Sequence, residues 1–417
     1  FRLASAEWQL VLADAGASVL IHDSSHQEAA QGLKAPGLTV LHQDDLIATA
    51  SPRGLALPNV DEDAPLLLVY TSGTTGTPKG AVHTQLAVIH NARASAWAHG
   101  FKQGDKVLST LPLFHVGGLC IQTLPALLAG IEVVLHPRFE PKAWLAELAL
   151  SRPSLSLLVP ATMRAVFEHP DWAHTDLSAL RGIMTGSSTV PLDYLDAFHR
   201  RGVPVGQVYG STETGPVSVV LGFDQAMERA GAAGWPHPEA KLRLLDAQGQ
   251  DVPTGQTGEV CLRASNLMRG YWNVHDQAGL GLDDGWFRTG DLGRLDEDAC
   301  LTIVGRSKDM IISGGENIYP AEIENRMMGM AGIAECTVVG LPDERWGEVP
   351  VAVVVRSAGQ DGQSLDAQGI IQHLAAHIAR FKLPRRVVFV EQLPKSALGK
   401  IQKPQVVEQL QNGHAPA

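Results

Sequence analysis

The sequence predicts an α/β protein of two or three domains in which the main strands run largely parallel. Its length of 417 residues is roughly three times that of a typical domain. Short apolar runs alternate with longer segments of helical spacing, a pattern typical of α/β layers. Apolar residues make up 45% and charged residues 18%. This composition suits a large buried core and excludes disordered, coiled-coil and fibrous chains.

The first half of the chain carries the alternating pattern most clearly. Five short apolar runs predict buried strands, at residues 18–21, 66–70, 132–135, 156–159 and 205–209. Two longer segments predict helices, at residues 84–100 and 141–151. Because helices separate the strands, adjacent strands are expected to be parallel.

The sequence pattern changes after about residue 241. Up to residue 306, strand-like runs such as 241–245 and 259–263 are separated by turn sequences, which predicts an antiparallel subdomain. After Arg306 a smaller unit follows, with predicted strands at 334–340 and 349–355 and a helix at 365–378. The polar end, residues 411–417, is expected to fray.

Charge and cysteine content exclude several functions. The 44 acidic and 33 basic residues give a formal net charge of −11, so no general attraction to nucleic acid or anionic lipid is expected. The four cysteines lack CxxC spacing, which indicates reduced thiols in a cytoplasmic protein rather than a disulfide framework or zinc site. These cysteines are Cys120, Cys261, Cys300 and Cys336.

The sequence predicts no membrane span and no signal peptide. No apolar run reaches the ~18 residues that a transmembrane helix needs. The chain begins with Phe1, and its first ten residues lack the charged start and apolar core of a signal peptide. We therefore expect the chain to begin partway through a longer gene product.

A Gly/Thr-rich segment, TSGTTGTPKG at residues 71–80, directly follows the apolar run at 66–70. Its glycines allow the backbone to approach a polyanion, its hydroxyls donate to phosphate oxygens, and Lys79 adds a cation. It does not fit the Walker P-loop pattern. By composition alone, an ordinary surface loop is the alternative.

Further segments carry groups suited to a nucleotide. In YGSTETG (209–215), the Tyr209 ring can stack on a base and Glu213 can hold Mg²⁺, although a strand-ending turn with a buried tyrosine is the commoner explanation. In GWFRTGD (285–291), Asp291 can accept from ribose hydroxyls. GRSKD (305–309) follows, and PKSALGK (394–400) places two lysines on a loop, where lysines are usually only solubilising.

Together and in this order, these segments resemble the adenylate-forming superfamily of acyl-CoA synthetases, adenylation domains and luciferases. The resemblance covers the chain from about Arg2. It implies a large N-terminal domain, residues 1–307, with two α/β subdomains and a distorted β-barrel. A small mobile α+β C-terminal domain, residues 308–417, follows a hinge at Lys308. Family members carry additional residues before the position of Arg2, so we expect the first part of the family domain to be missing here.

The resemblance also implies a two-step reaction. A carboxylate attacks the α-phosphorus of ATP to give an acyl-adenylate and pyrophosphate, and a thiol then forms the thioester and releases AMP. ATP, Mg²⁺ and CoA are the expected cofactor and co-substrates, and a small carboxylic acid is the expected substrate. The oligomeric state is not fixed by the sequence, and a homodimer stays open.

Residue roles follow from the same resemblance. Lys400 would bridge the substrate carboxylate and the α-phosphate in the first step only, and Thr212 would contact the α-phosphate. Glu213 would ligate Mg²⁺, and His115, in PLFHVGG (112–118), would lie beside the carboxylate pocket. The nucleotide would contact Thr71, Ser72, Gly73, Thr74, Thr75, Gly76, Lys79, Gly186, Ser187, Tyr209, Asp291 and Arg306.

The acceptor and the acid are less well determined. A carrier protein in place of CoA is less expected, because no carrier domain follows Lys400. A non-catalytic relative would be expected to lack residues such as Lys79 or Glu213, which are present. A fatty or aryl acid is favoured over o-succinylbenzoate, whose second carboxylate would need an extra cation. Arg164, Arg181 and Lys241 are the unassigned cations that could supply it.

Overall fold

The computed structural model describes residues 5–49, 60–72, 78–186, 190–274, 282–395 and 400–412. The helices in this part of the chain are α1 Ser5–Ala15, α2 Gln27–Gly32, α3 Gln43–Thr49, α4 Gln85–His99, α5 Val116–Gly118, α6 Leu124–Leu128, α7 Pro141–Leu150, α8 Pro160–Phe167, α9 Leu192–His199, α10 Pro320–Met328, α11 Gln360–Ser364, α12 Ala367–Ala375 and α13 Lys403–Gln411. A π-helical turn, Leu119–Thr123, joins α5 to α6. Short 3₁₀ turns occur at Ser24–His26, Pro170–His174, Ser307–Asp309 and Arg380–Lys382.

The strands are, in chain order, β1 Val19–His22, β2 Thr39–His42, β3 Pro65–Ser72, β4 Pro78–Thr84, β5 Lys106–Ser109, β6 Glu132–Leu135, β7 Leu155–Leu157, β8 Gly182–Thr185, β9 Val205–Ser211, β10 Gly215–Leu221, β11 Trp235–Pro236, β12 Ala240–Leu245, β13 Thr257–Ala264, β14 Gly270–Tyr271, β15 Leu282–Asp283, β16 Trp286–Leu295, β17 Leu301–Arg306, β18 Ile311–Ser313, β19 Glu316–Ile318, β20 Ile333–Asp343, β21 Gly347–Arg356 and β22 Arg386–Val390.

The largest sheet has the order β11-β10-β9-β8-β7-β5-β6, and its strands β5 to β9 are parallel. This confirms the predicted α/β architecture. On one face Trp144, Met163 and Phe198 pack in a core with α7, α8 and α9, and on the other face Ala94 and Ile121 pack from α4 and the π-helical turn. Because both faces are covered, the central strands are mostly apolar, as parallel strands usually are, and the side chain of Ser156 on β7 is buried and donates to the Leu108 carbonyl.

Helix α4 confirms the segment predicted at residues 84–100. Thr84 caps its first turn, since its Oγ1 accepts from the backbone N–H of Ala87 at 3.1 Å. Gly100 ends the helix in the left-handed region, with φ +51°. The segment at 141–151 is likewise helical, as α7. The boundaries of α4 were readable because capping residues stand at both of its ends.

Three of the predicted strands form but are not buried. β1 pairs only with β2 in a two-stranded sheet, β3 is an edge strand of the sheet β14-β4-β3, and β6 is the edge strand of the large sheet. Each carries a side chain that is at least half exposed, namely Val19 and Ile21 on β1, Leu66 on β3 and Leu135 on β6. An apolar run identifies a strand, but its burial depends on how many neighbours the fold gives it.

The region predicted to be antiparallel is confirmed. β12, β13, β16 and β15 form one antiparallel sheet, and β17 pairs with β16. β3 and β4 form a hairpin that β14 extends. The two ends of the Gly/Thr segment, residues 71–72 and 78–80, lie on these paired strands and are held by regular backbone hydrogen bonds.

The last part of the chain forms its own sheet and core. The antiparallel order is β19-β18-β21-β20, and β22 pairs with β21 in parallel. Ile323, Val338 and Ile370 share a core between this sheet and helices α10 and α12. The predicted strands are confirmed, but the predicted helix is shorter, because Asp366 caps α12 by accepting from Gly369 N–H at 2.7 Å. Residues 413–417 of the predicted tail lie outside the described residues.

In the described part of the chain, no helix is long and apolar enough to cross a bilayer.

Candidate active site

Residues from distant parts of the sequence meet beside the ends of β9 and β16. Tyr209 lies near the end of β9, Asp291 lies on β16, and Arg306 ends β17. Lys400 reaches the same place from the C-terminal part of the chain. Four of the predicted site residues therefore converge, although up to about 190 positions separate them in the sequence.

Asp291 is the centre of a polar triad. Its Oδ2 accepts from the Tyr209 hydroxyl at 2.9 Å, and its Oδ1 pairs with Arg306 Nε at 2.8 Å. Only 7% of Asp291 is exposed, and this burial raises the pKa of the carboxyl, while Arg306 opposes the rise. Each carboxylate oxygen can accept more than one hydrogen bond, so both can still accept from a diol.

Tyr209 is held at its hydroxyl end. Its hydroxyl is held by Asp291, and burial with the neighbouring Asp291 charge raises its pKa well above the ordinary value. Gly186, directly after β8, lies beside the adjacent strand, where a Cβ would approach the Val208 carbonyl oxygen to 2.6 Å. Glycine at this position therefore lets the 182–186 segment pack closely beside the tyrosine. Ser187 lies outside the described residues.

Glu213 forms a second polar group with two residues. Its Oε1 accepts from the Tyr271 hydroxyl at 2.8 Å, and Lys79 Nζ lies 5.6 Å from the centre of the Tyr271 ring. Burial, followed by the Glu213 charge, raises the pKa of Tyr271. The sequence analysis missed Tyr271, because an isolated GYW sequence carries no recognisable motif.

The structure describes the two ends of the predicted phosphate-binding segment, residues 71–72 and 78–80. Thr71 on β3 pairs with Lys79 on β4, and Ser72 pairs with Pro78. The strand pairing holds Thr71 and Lys79 opposite each other, at the end of β3 and the start of β4. The loop residues predicted to hold phosphate lie outside the described residues; they are Gly73, Thr74, Thr75 and Gly76.

Thr212 lies in the turn between β9 and β10 and is 8% exposed. Ser211 stabilises this turn, because its Oγ accepts from the N–H groups of Glu213 and Thr214 at 3.2 and 3.3 Å. The turn therefore fixes Thr212 and Glu213 relative to the end of β9.

His115 begins the short helix α5. Its Nδ1 accepts from the Gly117 N–H at 3.0 Å, which leaves the proton of the neutral ring on Nε2. Burial and the charge of Lys400 lower the pKa of His115. Gly118 is required two residues after the start of α5, because a Cβ there would lie 2.2 Å from the Pro112 carbonyl oxygen. His115 is thus a positioned hydrogen-bond donor near Lys400.

Lys400, from the C-terminal part of the chain, lies at the site. Its ammonium interacts with Asp291, Glu213 and Arg306. Lys400 is an exposed residue. Partial desolvation of its ammonium, and then Arg306, lowers the pKa of Lys400, whereas the two carboxylates raise it. The predicted hinge residue Lys308 is exposed in the 3₁₀ turn between β17 and β18.

A cavity lies next to this cluster, between α4, α5 and the start of β10. The cavity is small, with a volume of about 10 Å³, which is room for about one water molecule. Its lining is His83, Ala87, Val88, Asn91, Val116, Cys120, Gly215 and Pro216. The side-chain amide of Asn91 is already hydrogen-bonded within the protein, because its Nδ2 donates to the Cys120 carbonyl oxygen at 2.7 Å. His83 is 4% exposed, and its Nε2 has no hydrogen-bond partner. The surface of the cavity is apolar, and His83, one of its lining residues, carries a buried ring nitrogen without a hydrogen-bond partner.

The three unassigned cations lie elsewhere. Arg181 precedes β8 and pairs with Asp105 at 2.7 Å, at the opposite end of the parallel strands. Lys241 is exposed on β12. Arg164 donates to Glu168 and to the Ala334 carbonyl. None of the three therefore lines the described cavity.

Comparison with known proteins agrees with this geometry. The model of the AMP-binding enzyme family matches residues 1–272, and the model of the AMP-binding enzyme C-terminal domain matches residues 322–400. The chain is an ATP-dependent acid–CoA ligase of the class that works through an acyl-adenylate. It belongs to the AMP-binding enzyme family.

Individual relatives cover nearly the whole chain. An indoleacetate–CoA ligase of Aromatoleum aromaticum is 45% identical, over 97% of this chain and 81% of the relative. A feruloyl-CoA synthase of an Amycolatopsis species is 40% identical, over 97% of this chain and 82% of the relative. Among solved structures, the o-succinylbenzoate coenzyme A synthetase of Bacillus subtilis in complex with ATP and magnesium ion has a TM-score of 0.86. It is 30% identical and covers 98% of this chain and 82% of that chain.

Proposed function

We propose that this ligase activates an aryl or arylalkanoic acid, with Lys400 acting in the adenylation step. The observation that carries this proposal is the convergence of Lys400 with Asp291, Glu213 and His115 beside an apolar cavity. In adenylation, an anionic carboxylate approaches a polyanion, so neutralising charge should lower the barrier strongly. A lysine placed between the two is suited to that task.

The nucleotide would occupy the side of the site that carries the Asp291 triad. The Tyr209 ring would stack on adenine, with Gly186 and Ser187 beside it, and Asp291 and Arg306 would hold the ribose. Thr212 would contact the α-phosphate. The β- and γ-phosphates would lie against the 71–79 segment, where Lys79 adds positive charge.

Glu213 fits a Mg²⁺ ion bound together with phosphates. Its carboxylate is a hard oxygen ligand, and the hydrogen bond from Tyr271 to Oε1 orients it. In the described ranges, no three His, Cys, Asp or Glu side chains converge as a metal cage. One carboxylate plus substrate phosphates and water is the usual way of binding this ion, and the ion would neutralise phosphate charge.

Thioester formation would follow movement of the C-terminal domain, residues 308–417, about Lys308. The exposed position of Lys308 between two sheets supports this hinge. Lys400 would leave the site, and the turn at residues 313–317 would approach it. The AMP-binding side is built without the C-terminal part, so the adenylate would remain bound during the exchange.

The unsatisfied ring nitrogen of His83, which lines the small cavity, supports an aryl substrate. A ring nitrogen of His83 bonds the Thr212 backbone, so Nε2 is the free one, and its lone pair faces no protein donor. An indole N–H or a phenol O–H would satisfy this acceptor, whereas an alkyl chain would leave it unpaired at a cost of about 1–3 kcal/mol. The names of the indoleacetate and feruloyl relatives agree with such a ring substituent.

A dicarboxylate substrate and a fatty acid substrate have less support. A second carboxylate, as in o-succinylbenzoate, would need a cation, and Arg164, Arg181 and Lys241 lie away from the described cavity. A fatty acid is the strongest alternative substrate, because the cavity lining is mainly apolar.

A cytoplasmic location fits the four buried, unpaired cysteines and the use of ATP and CoA. A homodimer and a carrier-protein acceptor remain subjects for experiment.

The test is pyrophosphate release with ATP and Mg²⁺ against a panel of acids, each with and without CoA. The panel pairs indole-3-acetate with 1-naphthylacetate, which lacks the N–H, and adds ferulate, octanoate, palmitate and o-succinylbenzoate. We expect the fastest CoA-stimulated release with an acid that carries a ring N–H or O–H donor. Faster turnover of palmitate or octanoate would contradict the aryl assignment, and release unaffected by CoA would favour a carrier-protein acceptor.

A further inference from the structure

Arg164 joins the N-terminal and C-terminal parts of the chain. It lies on α8, and its Nη1 donates to the Ala334 carbonyl oxygen, at the start of β20, at 2.7 Å. Its Nε donates to Glu168 Oε1, also at 2.7 Å, and the Tyr194 hydroxyl interacts with the same guanidinium. Glu168 and Tyr194 of the N-terminal part therefore orient the Arg164 guanidinium, while the guanidinium donates a hydrogen bond to Ala334 of the C-terminal part.

Neighbouring residues extend this contact. Met328, at the end of α10, packs against the core around α8 and α9. Gly329 lies so close to α9 that a Cβ there would approach Asp193 Oδ2 to 2.8 Å. We call Arg164, Asp193 and Tyr194, together with Met328, Gly329 and Ala334, the helix junction.

The helix junction is connected to the segment that carries Lys400. Lys403 Nζ donates to the Val338 carbonyl of β20 at 3.2 Å and pairs with Glu324 of α10 at 2.8 Å. Glu324 also accepts from the Val338 N–H at 2.8 Å. These bonds tie α10, β20 and the start of α13 into one unit, so a shift of β20 would carry Lys400 with it.

We propose that Arg164 is a positioning residue for adenylation, which holds the C-terminal part where Lys400 reaches the acid and the α-phosphate. Arg164 touches neither reacting group and acts through β20 and Lys403. This inference rests on the proposed role of Lys400 in the first step. Loss of Arg164 should therefore slow adenylation and spare the thioester step.

The test separates the two half-reactions in Arg164→Ala. Acid-dependent exchange of pyrophosphate into ATP should fall about tenfold, the size expected for a hydrogen bond from a charged group. Thioester formation from supplied acyl-adenylate and CoA should stay within about twofold, because it does not need the docked arrangement. Arg164→Lys should recover part of the exchange rate, since an ammonium can bond the Ala334 carbonyl but cannot fork to Glu168 as well.

The matched control is Arg200→Ala. Arg200 pairs with Asp196 at the same four-residue spacing, but this pair lies within the α9 region. Both half-reactions should be unchanged in this variant. Thermal unfolding of each variant should stay near that of the parent, and Arg164→Lys serves as the test if Arg164→Ala does not fold.

Equal losses in both half-reactions, or no loss in either, would overturn the role of Arg164. Lys400→Ala, measured in parallel, separates this failure from failure of the proposed function. If Lys400→Ala loses both half-reactions equally, the assignment of Lys400 to adenylation fails. If it loses only adenylation while Arg164→Ala loses both, only the positioning role fails.

Discussion

The two sides of the proposed active site are built differently. On the proposed nucleotide side, Tyr209, Asp291 and Arg306 already bond one another. On the proposed acid side, Lys400 comes from the C-terminal part of the chain, and His83 carries an unsatisfied nitrogen. On this proposal the first side is fixed before substrate binds, whereas the second is completed by the position of the C-terminal part and by the acid itself.

This comparison predicts that changes on the nucleotide side affect both half-reactions. Asp291→Asn should raise the KM for ATP in adenylation and weaken use of supplied acyl-adenylate, each about 10- to 100-fold. The reason is that charged hydrogen bonds to ribose are lost in both steps and that Arg306 loses its partner. Kinetics of the separate half-reactions measure this.

Asp296→Asn is the matched control, because Asp296 is a more exposed carboxylate just after β16 that pairs with Arg229 at 2.8 Å. We expect no change in its kinetics. A defect of Asp291→Asn confined to adenylation would contradict a ribose contact shared by both steps.

His83→Leu should remove discrimination on the acid side. The parent should prefer indole-3-acetate over 1-naphthylacetate in kcat/KM by about tenfold, and the variant should lose most of that preference. His90→Leu is the control, because His90 lies on the neighbouring helix α4 and pairs with Glu239 instead of lining the cavity. If His83→Leu kept the parent's ratio of kcat/KM for the two acids, His83 would have no role in recognising the acid.

The pH dependence of adenylation should reveal the state of Lys400. Only its protonated form neutralises charge, so kcat/KM should fall as pH rises through a pKa below the ordinary lysine value of about 10.4. Desolvation and Arg306 set this direction, while Asp291 and Glu213 oppose it. Lys400→Arg should move the alkaline limb upward even where its rate is lower. If the alkaline limb of the pH profile did not move in Lys400→Arg, the limb would report the titration of a group other than Lys400.

Much of the fold followed from local sequence. The helix α4 and the parallel strands were predictable, because caps and apolar runs act within a few residues. The burial of β1, β3 and β6 was predicted wrongly, because an edge position depends on the whole sheet.

The site was predictable to the extent that its residues stand in motifs. Asp291, Glu213 and Lys400 are brought together as the resemblance implied. Tyr271 was missed, because it is 58 residues from Glu213 and only the fold joins them. The Ala334 partner of Arg164 was missed for the same reason, since a backbone carbonyl leaves no mark on the sequence.

The most direct test of the two-sided site is Lys400→Ala, with its two half-reactions measured separately on the same preparation. Acid-dependent pyrophosphate exchange should fall by at least about 100-fold, in the range seen when one preorganised group that stabilises charge is removed. Thioester formation from supplied acyl-adenylate and CoA should stay within about threefold. Equal losses in both half-reactions would contradict the division of the site into a fixed nucleotide side and an acid side completed by Lys400.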